Sequence, residues 1–277
     1  MRKLIHSYTF LGIIVAFMLL GCKSDYEKVR TSGDPALILK KAQEYYDEEE
    51  YQRAQTLYEL IISTYRGKKE AEDISFKYAY TYYYLRNYLL SNYYFNNFVQ
   101  TYSTSPKRRE AQFMAAYSNY RLSPKFRLDQ TYTNKAIEDF QLFINTFPNS
   151  ERVEQCNQLI DEMRLKLEMK AFDEGMLYFN RQLYTASVQV FENLLKDFPE
   201  TKNTHEVRYM IVESAYLLAE NSVLQRQEER YSEVLELAND YIDRFQDSDF
   251  LKKVENRLSD AQKKVAALRK AASSSDQ

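Results

Sequence analysis

The stretch GMLYFNRQLYTASVQVFENLLKDFP, residues 175–199, decides the fold. Two helical patterns lie in it, joined by a short turn. Gly175 and Tyr178 belong to the first; Tyr184, Ser187, Phe191, Leu194-Leu195 and Phe198 belong to the second, and Pro199 stops it. Offsets of 3, 7, 10, 11 and 14 from Tyr184 keep one side of a helix apolar. The small residues let a neighbouring helix come close, and the aromatic one turn further on fills the space beside them.

The same pattern recurs outward from this stretch. Tyr51–Tyr65, Tyr88–Tyr102, Thr133–Phe147, Tyr184–Phe198 and Tyr231–Phe245 align without gaps. Their fourth places hold Ala54, Ser91, Ala136, Ser187 and Val234; their eighth hold Tyr58, Phe95, Phe140, Phe191 and Ala238. A partner helix is predicted before each, over Ala36–Glu49, Glu70–Arg86, Arg108–Leu122, Lys170–Arg181 and His205–Glu220. This spacing resembles the tetratricopeptide pattern, a helix–turn–helix unit of about 34 residues whose faces are buried only by its neighbours. The expectation is therefore an all-α tetratricopeptide-repeat solenoid of about five helix pairs over residues 35–270, with Phe250–Lys270 as a capping helix. The repeat starts lie 37, 45, 51 and 47 residues apart, so the array is not uniform. Insertions are read at Ser123–Tyr132 and from the end of the fifth first-helix to Arg230. An extra helix is expected near Ser150–Leu167, and residues 271–277 as a frayed tail. Asn149-Ser150 and Thr201 offer caps for the helices that follow.

The N-terminus is a separate unit. Arg2 and Lys3 precede a mostly apolar run from Tyr8 to Leu20, too short to span a bilayer comfortably, which ends in Leu19-Leu20-Gly21-Cys22. This resembles a lipobox, so residues 1–21 read as a lipoprotein signal peptide and Cys22 as the lipidated new N-terminus. The alternative is a signal anchor with an incidental Cys. Residues 22–34 read as a polar, structureless tether.

Removing residues 1–21 takes Arg2 and Lys3 from the 38 basic residues and leaves all 40 acidic ones, a net charge of about −4 that argues against a nucleic-acid partner. With Cys22 carrying lipid, Cys156 is the last thiol, so no internal disulfide can form. His205 is the one histidine left, so a metal site or a nucleophile–base set lacks parts. The chain reads as a non-enzyme without a cofactor.

Tyrosine is the unusual residue, at 25 copies, and Tyr78, Tyr80, Tyr82, Tyr83, Tyr84, Tyr88, Tyr93 and Tyr94 crowd the second repeat. Tyr82 and Phe76 fall on the face that packs against the second helix. The others either pack between helices or line a groove of phenols for an extended peptide, and Tyr82 and Tyr83 are the candidates for that groove. Arg127 and Asp129, in the inserted loop with Gln130, would either hold the loop in place or meet a partner. The acidic run Asp47–Glu50 reads as a solvated turn.

With the lipobox ahead of five such repeats, and with Glu110–Tyr117, the loop Ser123–Thr131, Ala136–Phe140 and Phe147–Ser150 as its most specific segments, the chain resembles the BamD family of outer-membrane lipoproteins. The resemblance implies a lipid-anchored adaptor on the periplasmic face of the outer membrane, within the β-barrel assembly machinery. It implies binding to the periplasmic POTRA domains of BamA and to unfolded barrel precursors, with accessory lipoproteins as further partners. By position it assigns Tyr82, Tyr83 and the Arg127 loop to precursor binding, and the stretch from Arg181 to Arg208 to docking. Two other readings share parts of the pattern. A repeat lipoprotein that scaffolds cell-envelope or peptidoglycan enzymes would share fold and anchor. A carbohydrate-capturing surface lipoprotein fits less well, since the chain has no Trp to stack sugars.

Overall fold

A computed structural model describes residues 25–275, and among these the regular elements are all helices. In chain order they are α1 (Asp25–Arg30), α2 (Pro35–Asp47), α3 (Tyr51–Ile61), α4 (Ala71–Tyr84), α5 (Tyr88–Thr101), α6 (Arg108–Leu122), α7 (Thr131–Thr146), α8 (Val153–Asn180), α9 (Tyr184–Asp197), α10 (Thr204–Glu220), α11 (Leu224–Arg244) and α12 (Leu251–Ser275). The described residues divide into two compact units, one of residues 25–123 with Thr131–Cys156, the other of Pro124–Gln130 with residues 157–275. The five expected pairs are α2/α3, α4/α5, α6/α7, α8/α9 and α10/α11, and the architecture is a tetratricopeptide-repeat solenoid.

The pairing follows from how the first helix of a repeat ends. Glu49, Arg86 and Gln182 all adopt the left-handed conformation, with φ of 61°, 60° and 61°, each two residues before the Tyr that starts the second helix. The amide of Gln182 donates to Phe179 O at 2.9 Å and that of Leu183 to Tyr178 O at 2.9 Å; Arg86 with Asn87, and Glu49 with Glu50, repeat the pair. Two orphan carbonyls are thus satisfied while the chain reverses. A side chain in this conformation costs about 1–2 kcal/mol relative to glycine, so the turn is held by what packs on either side of it.

That packing is tightest where the opening stretch placed its small residue. A Cβ at Gly175 would lie 2.5 Å from Phe191 Cε1, inside the ring's own volume. Ser187 Oγ donates to Gly175 O at 3.1 Å and lies 3.0 Å from Ser214 Oγ, so the three helices α8, α9 and α10 meet at one point. The first unit repeats the contact between Ser91 of α5 and Ser118 of α6, at 2.9 Å and fully buried. Phe95, Phe140 and Phe191 are fully buried one turn beyond these small positions.

The links between repeats are also alike. Ser105, Ser150, Thr201 and Ser248 each accept a hydrogen bond from the amide two residues ahead, at 3.0, 3.3, 3.1 and 3.1 Å. Ser105 and Thr201 donate in turn to Glu72 and Glu168, at 2.7 and 2.6 Å. Ser150 and Thr201 therefore close the turn ahead of a helix, and the expected side-chain cap is not formed by them.

Four expectations are corrected. The segment read as a structureless tether is helical from Asp25 to Arg30: Val29 is buried, and Tyr26 meets Tyr45 edge-on at 5.8 Å. Asp34 then caps α2 by accepting from the amides of Ala36 and Leu37, with Pro35 in the first turn. The separate helix near Ser150–Leu167 is the first half of the continuous α8, because Leu167, Glu168 and Met169 are good helix formers with no breaker among them. The insertion before Arg230 is helical from Leu224, leaving only a short turn. The closing helix reaches Ser275. It does cap the array, with Ala261 and Val265 buried beside Tyr216 and Tyr231, and Tyr216 donating to Asp260 at 2.6 Å. Residues 1–24 and 276–277, and with them the signal peptide and Cys22, lie outside the described residues.

The Gly175 contact makes a simple prediction. Alanine would gain about 1 kcal/mol of helix propensity, but overpacking against a ring enclosed on all sides costs roughly 1–3 kcal/mol. Gly175→Val, which adds β-branched bulk without that propensity gain, should lower the melting temperature by several degrees more than Gly175→Ala. Thermal unfolding followed by circular dichroism checks the order; a Val variant as stable as the parent would contradict the packing argument.

Candidate functional site

The tyrosines of the second repeat sort by partner. Tyr78 is buried, and its hydroxyl lies 2.9 Å from that of Tyr82. Tyr82 stacks on Tyr94 of α5 with centroids 4.8 Å apart, and Phe76 packs on Phe95 and Phe98, so both occupy the helix-packing face as expected. Tyr82 is thus drawn into the packing between α4 and α5. Tyr84 and Tyr93 are 43% and 59% exposed.

Tyr83 instead belongs to a run of rings along the first unit. Tyr51 stacks on Tyr84 at 4.2 Å, Tyr84 meets Tyr80 and Tyr83 at 5.7 Å each, and Tyr83 meets Tyr88 at 5.6 Å and Tyr117 at 6.2 Å. Tyr117 continues to Tyr120 at 5.4 Å. The spacing of Tyr80, Tyr83 and Tyr84 on α4, and of Tyr117, Tyr120 and Arg121 on α6, puts each set on one helical stripe. Such a surface offers flat apolar area with hydroxyls at its edge, at little entropic cost.

Charge is placed at its edges. The Arg121 guanidinium lies 4.8 Å from the Tyr88 ring centre and donates to Tyr83 Oη at 3.5 Å. Glu110 accepts from Tyr80 Oη at 2.8 Å and from Arg152 Nη2 at 3.0 and 2.8 Å, while Arg152 stacks over Phe113 at 4.1 Å. Burial, and then the Glu110 carboxylate beside it, raises the Tyr80 phenol well above its usual range. Burial likewise raises Tyr83, with Tyr117 adding to the effect and Arg121 opposing it. These phenols stay protonated donors throughout the physiological range. The Glu110–Arg152 pair is not legible in the sequence; its members stand 42 residues apart with no spacing to link them.

The inserted loop belongs to the second unit and is pinned rather than loose. Gln130, buried, donates from Nε2 to the carbonyls of Lys125, Phe126 and Leu128 at 2.9, 3.2 and 3.0 Å. Lys170 Nζ donates to Leu128 O at 2.7 Å, and Arg127 makes a two-pronged pair with Asp173 at 3.0 and 2.9 Å. That hydrogen-bonded guanidinium lowers the Asp173 carboxyl below the usual range. Arg127 and Gln130 thus hold the loop in place. Asp129 is exposed on the same loop. Tyr82 and Tyr83 thus lie in one unit, and Arg127 and Asp129 in the other.

The two docking candidates lie in the second unit. Arg181 is exposed at the α8–α9 turn. Arg208 sits on α10, half-buried, with Nη1 3.1 Å from Asp240 of α11. Cys156 is buried, and burial pushes its thiol up to about 11, which makes it a packing residue. Among the described residues no His, Cys, Asp and Glu groups converge as metal ligands, and no helix is long and apolar enough to cross a membrane.

A family model described as YfiO, outer membrane lipoprotein, matches residues 32–216. Two curated relatives are each named outer membrane protein assembly factor BamD. That of Rickettsia prowazekii (strain Madrid E) is 22% identical over 223 residues, covering 80% of this chain and 87% of the relative. That of Pasteurella multocida (strain Pm70) is 23% identical over 224 residues, covering 77% and 85%. A solved thermophilic TPR protein of Thermus thermophilus is similar at a TM-score of 0.32 and 13% identity, covering 83% of this chain and 99% of its own.

Gln130→Ala removes an amide whose two N–H donors serve three loop carbonyls. Losing them should cost about 1–3 kcal/mol of local stability and speed amide exchange across residues 124–130, leaving α4 and α5 unchanged. Hydrogen–deuterium exchange reads this directly, and unaltered protection of the loop would show that Gln130 does not hold it.

Proposed function

This chain belongs to the YfiO family of outer membrane lipoproteins, and from that premise we propose that it is a periplasm-facing adaptor of outer-membrane β-barrel assembly. In this reading a lipid on Cys22 anchors the chain to the outer membrane. The aromatic run of the first unit holds unfolded barrel precursors, and the repeats of the second unit dock on the POTRA domains of BamA. The protein contributes binding and no catalysis.

The observation that carries the reading is the uninterrupted run of rings from Tyr51 to Tyr120. An unfolded barrel strand alternates apolar and polar side chains. Against it, phenol faces take the apolar members, and protonated hydroxyls or Arg121 donate to the free backbone carbonyls. Contacts of this kind tolerate many sequences, which suits a protein that must hold many barrels. Arg181 and Arg208 are the proposed docking residues. Arg208 is already paired with Asp240, so a partner carboxylate would have to compete with that pair.

Two experiments test this. In the first, the full chain is crosslinked in cells and its partners identified; a barrel protein with periplasmic repeats, and barrel precursors, should be recovered. Tyr83→Ser combined with Arg121→Ala should lower precursor crosslinking about tenfold, at about 0.5–1.5 kcal/mol per aromatic or cation–π contact, with recovery of the barrel partner unchanged. Recovery of cell-wall enzymes in place of the barrel would sink the proposal. In the second, Cys22→Ala should abolish lipid labelling and leave residues 1–21 attached, whereas the parent loses them. A parent that carries no lipid and keeps residues 1–21 would instead make residues 8–20 a signal anchor.

A further inference from the structure

The pinned loop creates a feature that the proposed function does not use. Phe126 and Leu128 of the loop face Leu165 and Met169 of α8 across a groove of about 560 Å³, within the roughly 300–1,000 Å³ range of concave ligand sites. Leu128, Leu165 and Met169 are 58%, 52% and 47% exposed. Single exposed apolar residues are ordinary; three converging on one concavity are not.

The groove is built, since its loop wall has a fixed position. The Leu128 carbonyl accepts from both Lys170 and Gln130, at 2.7 and 3.0 Å, which fixes the backbone and turns the isobutyl group away from the chain's own core. A wall ordered in advance spares an occupant the cost of ordering it. Met169 on the other wall can reshape around different side chains. The remaining lining is charged: Lys125, Arg127 and Lys166 with Glu162, of which Glu162 and Lys166 each already have an interaction partner. Lys170 adds a further cation at the edge, while Arg127 is matched by Asp173.

We propose that this groove is a docking site for a short acidic segment of a partner protein, carrying one or two bulky apolar side chains flanked by Asp or Glu. The apolar side chains enter between Leu128, Leu165 and Met169, and the flanking carboxylates meet Lys125 and Lys170 at the edge. The concavity favours a peptide over a bilayer surface, which would press on a protruding apolar ridge. The site is made of side chains of the second unit alone, whereas the aromatic run belongs to the first.

The test uses the full chain in detergent and a random dodecapeptide display library, selected in parallel on the parent and on Leu165→Gln/Met169→Gln. Both positions are exposed, so the double variant should keep its helicity and melting temperature. The parent should enrich peptides with bulky apolar residues flanked by Asp or Glu. A synthetic copy of the best of them should bind at least about tenfold more weakly to the double variant and to Lys125→Glu, and more weakly with rising salt. Enrichment of basic or uncharged peptides, or equal binding to parent and variants, overturns the proposal. So does a protein that ignores the peptides yet binds phosphatidylglycerol vesicles through Leu165 and Met169. Because the readout involves no barrel precursor, its failure leaves the assembly role untouched, and the converse holds too.

Discussion

No methyl group fits between Gly175 and Phe191, and from that contact the remaining geometry follows. A helix that approaches so closely forces its partner to carry a ring at one height and a small side chain one turn before it. Ser187 sits at that small position, and its hydroxyl would be costly if left dry. Bonding to Gly175 O and to Ser214 Oγ satisfies it and ties the next repeat to the same point. The Ser91–Ser118 pair does the same in the first unit. Close approach therefore sets the positions of helices within a repeat and between repeats, and the strained turns at Glu49, Arg86 and Gln182 are tolerated because that packing leaves the chain no alternative.

This constraint also explains why rings abound. Each repeat needs large side chains to fill what small ones leave open, and Phe supplies them at Phe95, Phe140 and Phe191 without a polar atom to satisfy. Tyr at the same place is costlier. The Tyr58 hydroxyl is buried with no hydrogen-bond partner among the described residues, and burial raises its pKa accordingly. Tyrosines of α4 find partners at the margins of the packing: Tyr80 on Glu110, Tyr82 on Tyr78, Tyr83 on Arg121. Rings that begin as packing thus end at a surface, and the candidate site is the part of the interlock that faces outward.

Legibility from sequence follows the same division. Periodicity reveals the paired helices, because small and aromatic residues at fixed offsets are what close approach requires. It fails where no packing residue marks a boundary. The break expected before Lys170 does not exist, since nothing between Leu167 and Lys170 interrupts a helix. The stretch from Leu224 to Arg230 is mostly polar and reads as an insertion, yet α11 simply begins earlier there. The helix of Asp25–Arg30 is too short to show a period, and its one buried residue, Val29, makes no pattern by itself. Site residues are legible by type and not by partner. Tyr82 and Tyr83 are neighbours in sequence, but one stacks on Tyr94 within α5 while the other meets Tyr88 at the start of α5 and Tyr117 of α6. Glu110 and Arg152 can be linked only by the fold.

The inserted loop shows how a departure from the repeat can be more informative than the repeat. An insertion of this length costs little closure entropy and is usually mobile. Here a buried glutamine commits its amide nitrogen to three loop carbonyls, and Arg127 and Lys170 fasten the loop to α8. Order of that kind opposes the conformational entropy of every residue held. The most exposed apolar side chain of the loop, Leu128, is left 58% open to solvent, so burial within the chain does not offset the ordering. A loop held rigid to present an uncovered leucine across from Leu165 and Met169 has the energetics of a surface shaped for something that covers it.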